Sequence, residues 1–255
     1  MRLSAYIFAC SLLATGLVSS ALAESTNDAA DQELVGKYLD ATRVQQETLR
    51  NTRMEVSIDA RLPQLEKQGR LRAFRFVSRL GKITYKALGF VGDNTVKKEV
   101  IVRYLSLDTD GGGPSSNVSV TPANYHFKFK AKLNQGDRVI QVLELTPKKK
   151  HWWGGYKVGL FKGELWMDAD TGMPVRLSGQ WVSSPSAFVK RVQFVQEFEM
   201  QQNGVSIPSH IESTVDTRIV GRAELSIDFS NFTPESGDAI EDAEIGLADE
   251  DSPTP

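Results

Sequence analysis

From Arg53 to Leu62 the chain alternates without a break. Met54, Val56, Ile58, Ala60 and Leu62 fall on one side, and Arg53, Glu55, Ser57, Asp59 and Arg61 on the other. A period of two sends successive side chains to opposite faces of a strand, so this segment can bury one face only by lying in a sheet against a second layer. The pattern recurs at Tyr125, Phe127, Phe129, Ala131 and Leu133, which alternate with His126, Lys128, Lys130 and Lys132. Shorter or less regular examples occur at 70–80, where the alternation slips near Ala73-Phe74 as at a bulge, and at 82–91, 138–146, 161–167, 175–181, 189–200, 205–217 and 222–232. Asn134-Gln135-Gly136-Asp137 and Asn203-Gly204 supply hairpin turns. About ten amphipathic antiparallel strands are predicted.

Two segments depart from this period. Residues 31–51 place Leu34, Val35, Tyr38, Leu39, Thr42 and Leu49 largely on one helical face, with Asp31, Lys37, Asp40, Arg43, Gln46 and Arg50 left polar. Residues 95–107 come after a candidate cap at Asp93-Asn94 and space Val96, Val100, Tyr104 and Leu107 as a helix face, although Val100-Ile101-Val102 also suits a strand. Half-buried strands plus two helices need one shared core. The expected fold is mainly β (α+β): a strongly curved antiparallel sheet, or incomplete β-barrel, with an N-terminal helix and a lid helix on its concave face.

The first 23 residues read as a secretory signal peptide. Arg2 gives the charged start, Ala5 to Val18 an apolar stretch, and Ala21-Leu22-Ala23 a cleavage pattern. The apolar stretch falls short of the roughly 20 residues that span a bilayer. Retention as an anchor, or lipidation at Cys10, are the alternatives. Cleavage near Ala23 makes the expected location the periplasm, as a soluble exported protein, and removes Cys10, the only cysteine, leaving no disulfide or thiolate ligand.

The net charge of −2 conceals a division. Residues 24–233 carry 29 Lys and Arg against 24 Asp and Glu, whereas 234–255 hold eight acids and no base. The expected organisation is a signal peptide at 1–23, a single domain at 24–233 and an acidic disordered tail at 234–255, which cannot bury enough apolar surface to offset its ordering entropy. A tail that folds back on the basic body is the other reading.

Catalytic chemistry is not indicated. There is no G-x-S-x-G elbow, and Ser209 and His210, adjacent on a strand, point to opposite faces even with Asp216 close by. The three histidines are far apart in sequence, and Asp108-Thr109-Asp110-Gly111 and Asp168-Ala169-Asp170-Thr171-Gly172 lack the further ligands of a calcium loop and read as turns. No phosphate-binding loop joins a strand to a helix. We therefore expect no enzyme, no metal site and no cofactor.

The segment 147–162 mixes Lys148, Lys149, Lys150, Trp152, Trp153 and Tyr156 with flexible glycines. Clustered lysines favour anionic headgroups or acidic partners, and tryptophan favours a membrane interface, so this is a candidate membrane or partner loop. A hairpin loop folded back on the sheet is the plainer alternative. Stacking on single-stranded nucleic acid would use the same residue types, but export speaks against it.

The hairpin Gly163-Glu164-Leu165-Trp166-Met167-Asp168 through Thr171-Gly172-Met173-Pro174-Val175-Arg176 resembles the LolA/LolB-like superfamily, where a strand ending in an acid, a Thr-Gly turn and a Pro-x-Arg strand recur. The resemblance implies an incomplete barrel that holds lipid or lipoprotein acyl chains under helices, closest to the outer membrane lipoprotein-sorting protein-like branch. It makes a non-enzymatic periplasmic carrier or chaperone the expected function. Val56, Ile58, Phe74, Phe76, Phe127, Phe129, Leu165, Met167 and Trp181 are then candidates for the apolar cavity, unless the phenylalanines fill it as core. The alternative is an envelope sensor or interaction module that binds a protein partner or membrane surface through 147–162. An outer-membrane barrel would also alternate, but the polar-faced helix at 31–51 and the charged, non-aromatic C-terminus argue against it.

Overall fold

The protein is described by a computed structural model covering residues 19–109, 120–148, 152–153, 156–157, 160–182 and 189–235. Helix α1 (Ser19–Leu49) precedes strands β1 (Thr52–Leu62), β2 (Lys67–Val77) and β3 (Ile83–Gly92). A helical segment is next, in which α2 (Asn94–Val96) runs through a π-helical stretch (Lys97–Val102) into α3 (Arg103–Thr109). Then come β4 (Tyr125–Gln135), β5 (Arg138–Pro147), the short β6 (Trp152–Trp153) and β7 (Tyr156–Lys157), β8 (Phe161–Asp168), β9 (Pro174–Trp181), β10 (Val189–Met200), β11 (Ser206–Thr217) and β12 (Arg222–Pro234).

Ten strands form one antiparallel sheet in the order β3-β2-β1-β12-β11-β10-β9-β8-β5-β4, while β6 and β7 pair separately as a two-stranded ribbon. The first strand thus pairs with the last, but β3 and β4 remain edges, so the sheet is an incomplete barrel and not a closed one. This is the mainly β architecture that the alternating segments predict. The bulge expected near Ala73 is the register shift between Arg72 and Ala73 where β2 pairs β3. β12 continues through Pro234, into the segment that the sequence assigns to the tail.

Local chemistry sets the ends of the helices. Asn51 adopts the left-handed conformation (φ 55°) just past α1, and the Thr52 hydroxyl donates to the Leu49 carbonyl, which stops the helix and turns the chain directly into β1. Asp93 caps α2 by accepting from the Thr95 backbone N–H at 2.7 Å. Residues 95–107 are therefore helical, and Val100-Ile101-Val102 bury Ile101 from a helix instead of extending a strand.

The concave face is covered in two halves. Over β1, β2, β3, β11 and β12, the side chains Val96, Ile101, Tyr104 and Leu105 pack on Val56, Ile58, Leu71, Ala73, Tyr85, Ile211 and Ile227. Over β4, β5, β8, β9 and β10, Val35 and Tyr38 of α1 pack on Tyr125, Leu143, Leu145, Phe161, Leu165, Met167 and Phe194. Burial of each large apolar side chain stabilises by about 1.5–3 kcal/mol, so both helical covers are firmly seated.

Candidate functional site

Between the two covers lies a cleft of about 470 Å³. Its wall is the face of α1 from Tyr38 to Arg50, and its floor is built from the inner positions Leu165, Leu177, Gln196 and Phe198 of β8, β9 and β10. Its far lip is the β2–β3 turn, with Val77, Leu80, Gly81 and Ile83. Leu80 is 94% exposed at that lip. Arg43 and Arg50 of α1 add positive charge to an otherwise mixed lining, whereas Arg75 of β2 lines it with its charge paired to the buried Asp108.

Polar groups in the interior hold the cleft's shape. Gln45, buried on α1, donates to the Ser206 carbonyl at 2.6 Å and ties the helix to the start of β11. Lys37 donates to the Ala169 carbonyl at 2.9 Å, and α1 comes so close to the 168–173 turn that a Cβ at Gly172 would lie 2.7 Å from the Lys37 carbonyl oxygen. Burial pushes the Tyr38 phenol up to about 12, partly offset by its hydrogen bond with Thr42.

On the other side, Arg75 occupies an inner position of β2, opposite Met54 of β1 and Tyr85 of β3. Its guanidinium lies 3.4 Å from the Asp108 carboxylate near the end of α3, and the Tyr85 hydroxyl donates to the same oxygen at 2.6 Å. The Arg75 and Asp108 side chains are 5% and 0% exposed. Burial works against the guanidinium charge, but Tyr85, Asp108 and Tyr104 outweigh it and hold the pKa above its ordinary value. Burial first, and then the adjacent carboxylate, push the Tyr85 phenol well up. The arrangement is a pinned ion pair, closed by a hydroxyl donor, that fastens α3 to the sheet beside the cleft.

The sequence-predicted cavity residues divide among three places. Val56 and Ile58 are sealed beneath the α2–α3 cover. Leu165, Met167, Phe127 and Trp181 belong to the half under α1, and of these Leu165 reaches the cleft. Phe129 shares this inner face opposite Leu143 but is 41% exposed near the edge of the sheet. Phe74 and Phe76 are a correction. They pair with Glu55 and Arg53 on the convex face, and Phe74 lies under the Arg53 guanidinium at 4.8 Å. The inner position went to Arg75 because Asp108 neutralises it there, a contact made across 33 residues.

For the 147–162 loop, Lys148 is exposed, Trp152–Trp153 pair with Tyr156–Lys157 through the backbone, and Lys149 and Lys150 lie outside the described residues. His210 meets Asp228 at 2.7 Å and Glu212 at 3.6 Å on the convex face, not Ser209. The Asp168 carboxylate accepts from the backbone N–H groups of Asp170 and Thr171 and from the Thr171 hydroxyl, all through Oδ1, which is a turn network. Among the described residues no group of three or more His, Cys, Asp or Glu is placed to hold a metal ion, and no helix is long and apolar enough to cross a membrane. Sequence reasoning missed Arg75, Gln45 and Gln196. The signal was present for two of them: Arg75 interrupts the inner series Leu71, Ala73, Val77, and Gln196 sits between Phe194 and Phe198.

No protein-family description matches the chain, and no characterised sequence is detectably similar to it. Solved structures are. A LolA superfamily protein from Nitrosomonas europaea is 13% identical, with a TM-score of 0.39, over 82% of this chain and 94% of the other. A DUF1329 family protein from Desulfovibrio piger is 12% identical, with a TM-score of 0.43, over 81% and 94%. An outer membrane lipoprotein-sorting protein domain from Vibrio parahaemolyticus is 11% identical, with a TM-score of 0.37, over 78% and 92%. The chain is similar to LolA-like proteins in fold.

Proposed function

We propose that the protein is an exported, non-enzymatic carrier that shields the acyl part of a lipid or lipoprotein in the cleft between α1 and the concave sheet. The observation that carries this reading is the cleft itself. Its volume falls in the range of about 300–1,000 Å³ typical of small-ligand sites. Leu39, Leu165, Leu177 and Phe198 give it apolar walls, while Arg43, Arg50, Gln45 and Gln46 line its α1 side, so it suits an amphiphile with an apolar chain and a polar or anionic head. The open sheet provides the entrance without any strand having to unpair. The signal-peptide pattern of the first 23 residues supports action in the periplasm.

Native mass spectrometry of the mature chain purified from its exported fraction, with titration by a pyrene-labelled fatty acid, tests the proposal. A 1:1 adduct removed by organic extraction, and saturable probe binding, are expected. A ligand-free mass together with no saturable binding overturns it.

Docking of an envelope protein or membrane surface through 147–162 is the second reading. In its favour is the β6–β7 ribbon, which pairs outside the ten-stranded sheet in a lysine- and tryptophan-rich segment. Replacing Trp152 and Trp153 by Ala should then abolish binding to anionic vesicles or to a captured partner. Unchanged binding removes the ribbon from consideration.

A further inference from the structure

The end of β12 brings Glu235, the first acid of the acidic segment, to the rim of the cleft. The last residue pairs of β1 and β12 are Arg53 with Thr233 and Thr52 with Pro234. Glu235 then donates its backbone N–H to the Asn51 carbonyl at 2.8 Å and places its carboxylate 3.2 Å from Arg53. Asn51 and Arg53 lie just past Leu49 and Arg50, which line the cleft. The β2–β3 turn stands at the same rim, since Val77 pairs with Thr52. The chain therefore leaves the sheet at the mouth of the cleft.

The charges at this rim are complementary to the acidic segment beyond Glu235. Arg43 and Arg50 line the cleft, and Arg79 and Lys82 are exposed on the β2–β3 turn. The facing acids are fewer: Asp40 lies 3.5 Å from Arg43, Glu235 is taken by Arg53, and Glu47 is exposed on α1. Residues 236–255 carry seven more acids and no base, with Ile240, Ile245 and Leu247 spaced among them. At about 3.3–3.6 Å per extended residue, the ten or so residues from Glu235 to Ile245 can span roughly 30 Å, more than the width of a helix and its groove.

We infer that residues 236–255 dock in the cleft of their own chain, with Ile240, Ile245 and Leu247 against its apolar walls and the acids against Arg43, Arg50 and the bases of the β2–β3 turn. The contact is intramolecular, so even a weak intrinsic affinity is amplified by an effective concentration on the order of millimolar. Attraction between exposed charges is screened by salt, with a Debye length of about 10 Å at 0.1 M and about 3 Å at 1 M. The inference rests on the rim geometry and on charge, not on which cargo the cleft accepts.

The test uses the mature chain with Ala248→Cys carrying a nitroxide, since no other cysteine lies beyond Glu24. Amide signals of Arg50, Leu80 and Gly81 should be lost through paramagnetic broadening at low salt and recover in 1 M NaCl. They should also recover in the tail variant Ile240→Ser/Ile245→Ser/Leu247→Ser, which leaves the sheet and helices unaltered, and in Arg43→Glu/Arg50→Glu. Mixing nitroxide-bearing chains of natural isotope abundance with nitroxide-free, nitrogen-15 chains separates contact within a chain from contact between copies. Broadening that appears only between chains, or that spares the rim at low salt, overturns the inference. Because no cargo is added, this result is independent of the lipid-binding titration.

Discussion

Arg75 and Asp108, 33 residues apart, form a buried ion pair at 3.4 Å that joins β2 to the end of α3, and Tyr85 completes it by donating to the same carboxylate oxygen. Removing one partner of such a pair leaves the other charge buried and uncompensated, which typically costs about 3–5 kcal/mol. Asp108→Ala should therefore destabilise the fold by that order in urea unfolding. Arg75→Met with Asp108→Leu, which removes both charges, should cost far less than either single change. Equal losses in the single and double variants would show that packing, not charge pairing, holds α3.

Three buried tyrosines predict the alkaline limit of stability. Burial holds the phenols of Tyr38 and Tyr125 up at about 12 and that of Tyr85 well above its ordinary value. Each is raised in the folded state, so its contribution is complete below the unfolded pKa near 10 and is lost as pH rises from there through the folded value. Ultraviolet titration at 295 nm should show these phenols ionising together with loss of the near-ultraviolet circular dichroism signal. Ionisation near pH 10 with the fold intact would contradict their burial.

His210 offers a smaller effect in the opposite range. Its modest burial lowers the pKa, but Asp228 and Glu212 raise it more, so the folded value lies above the ordinary one. The stabilisation is fully present below about pH 6.5 and disappears as pH rises through the folded value. These are surface pairs, worth about 0–1 kcal/mol. His210→Gln should therefore lower the melting temperature slightly at pH 5.5 and leave it unchanged at pH 8.5.

The Thr171-Gly172 turn is fixed by its approach to α1. Gly172 has φ +73°, and a side chain there would meet the Lys37 backbone. Gly172→Ala combines left-handed strain with that clash, and a loss of about 1–3 kcal/mol is expected from thermal unfolding. A neutral result would mean that α1 is not seated on this turn.

A bulky residue on the α1 wall should separate cleft from core. Thr42 lines the cleft and is not itself buried. Thr42→Trp should weaken fatty-acid probe binding about tenfold or more, a change of about 1.4 kcal/mol, while the melting temperature stays within a degree or two. Retained affinity would locate the binding elsewhere.

Alternation alone determined most of this sheet. A strand's period is two whatever its neighbours, so Arg53–Leu62 and Tyr125–Leu133 announced their faces from sequence, as Asp93 announced a helix start. What the period could not decide is which phase lies inward when a charge competes with an aromatic. Phe74 and Phe76 read as cavity residues and lie on the convex face, where Phe76 is still buried, because Arg75 found Asp108 across the fold and that desolvated pair took the inner place. Likewise the segregation of acids beyond residue 233 was legible as composition, but the position of Glu235, the first of them, at the rim of the cleft was not. That position comes from β12 closing on β1, a pairing between residues some 180 apart, and only the tertiary structure could decide it because no local preference encodes which strands become neighbours.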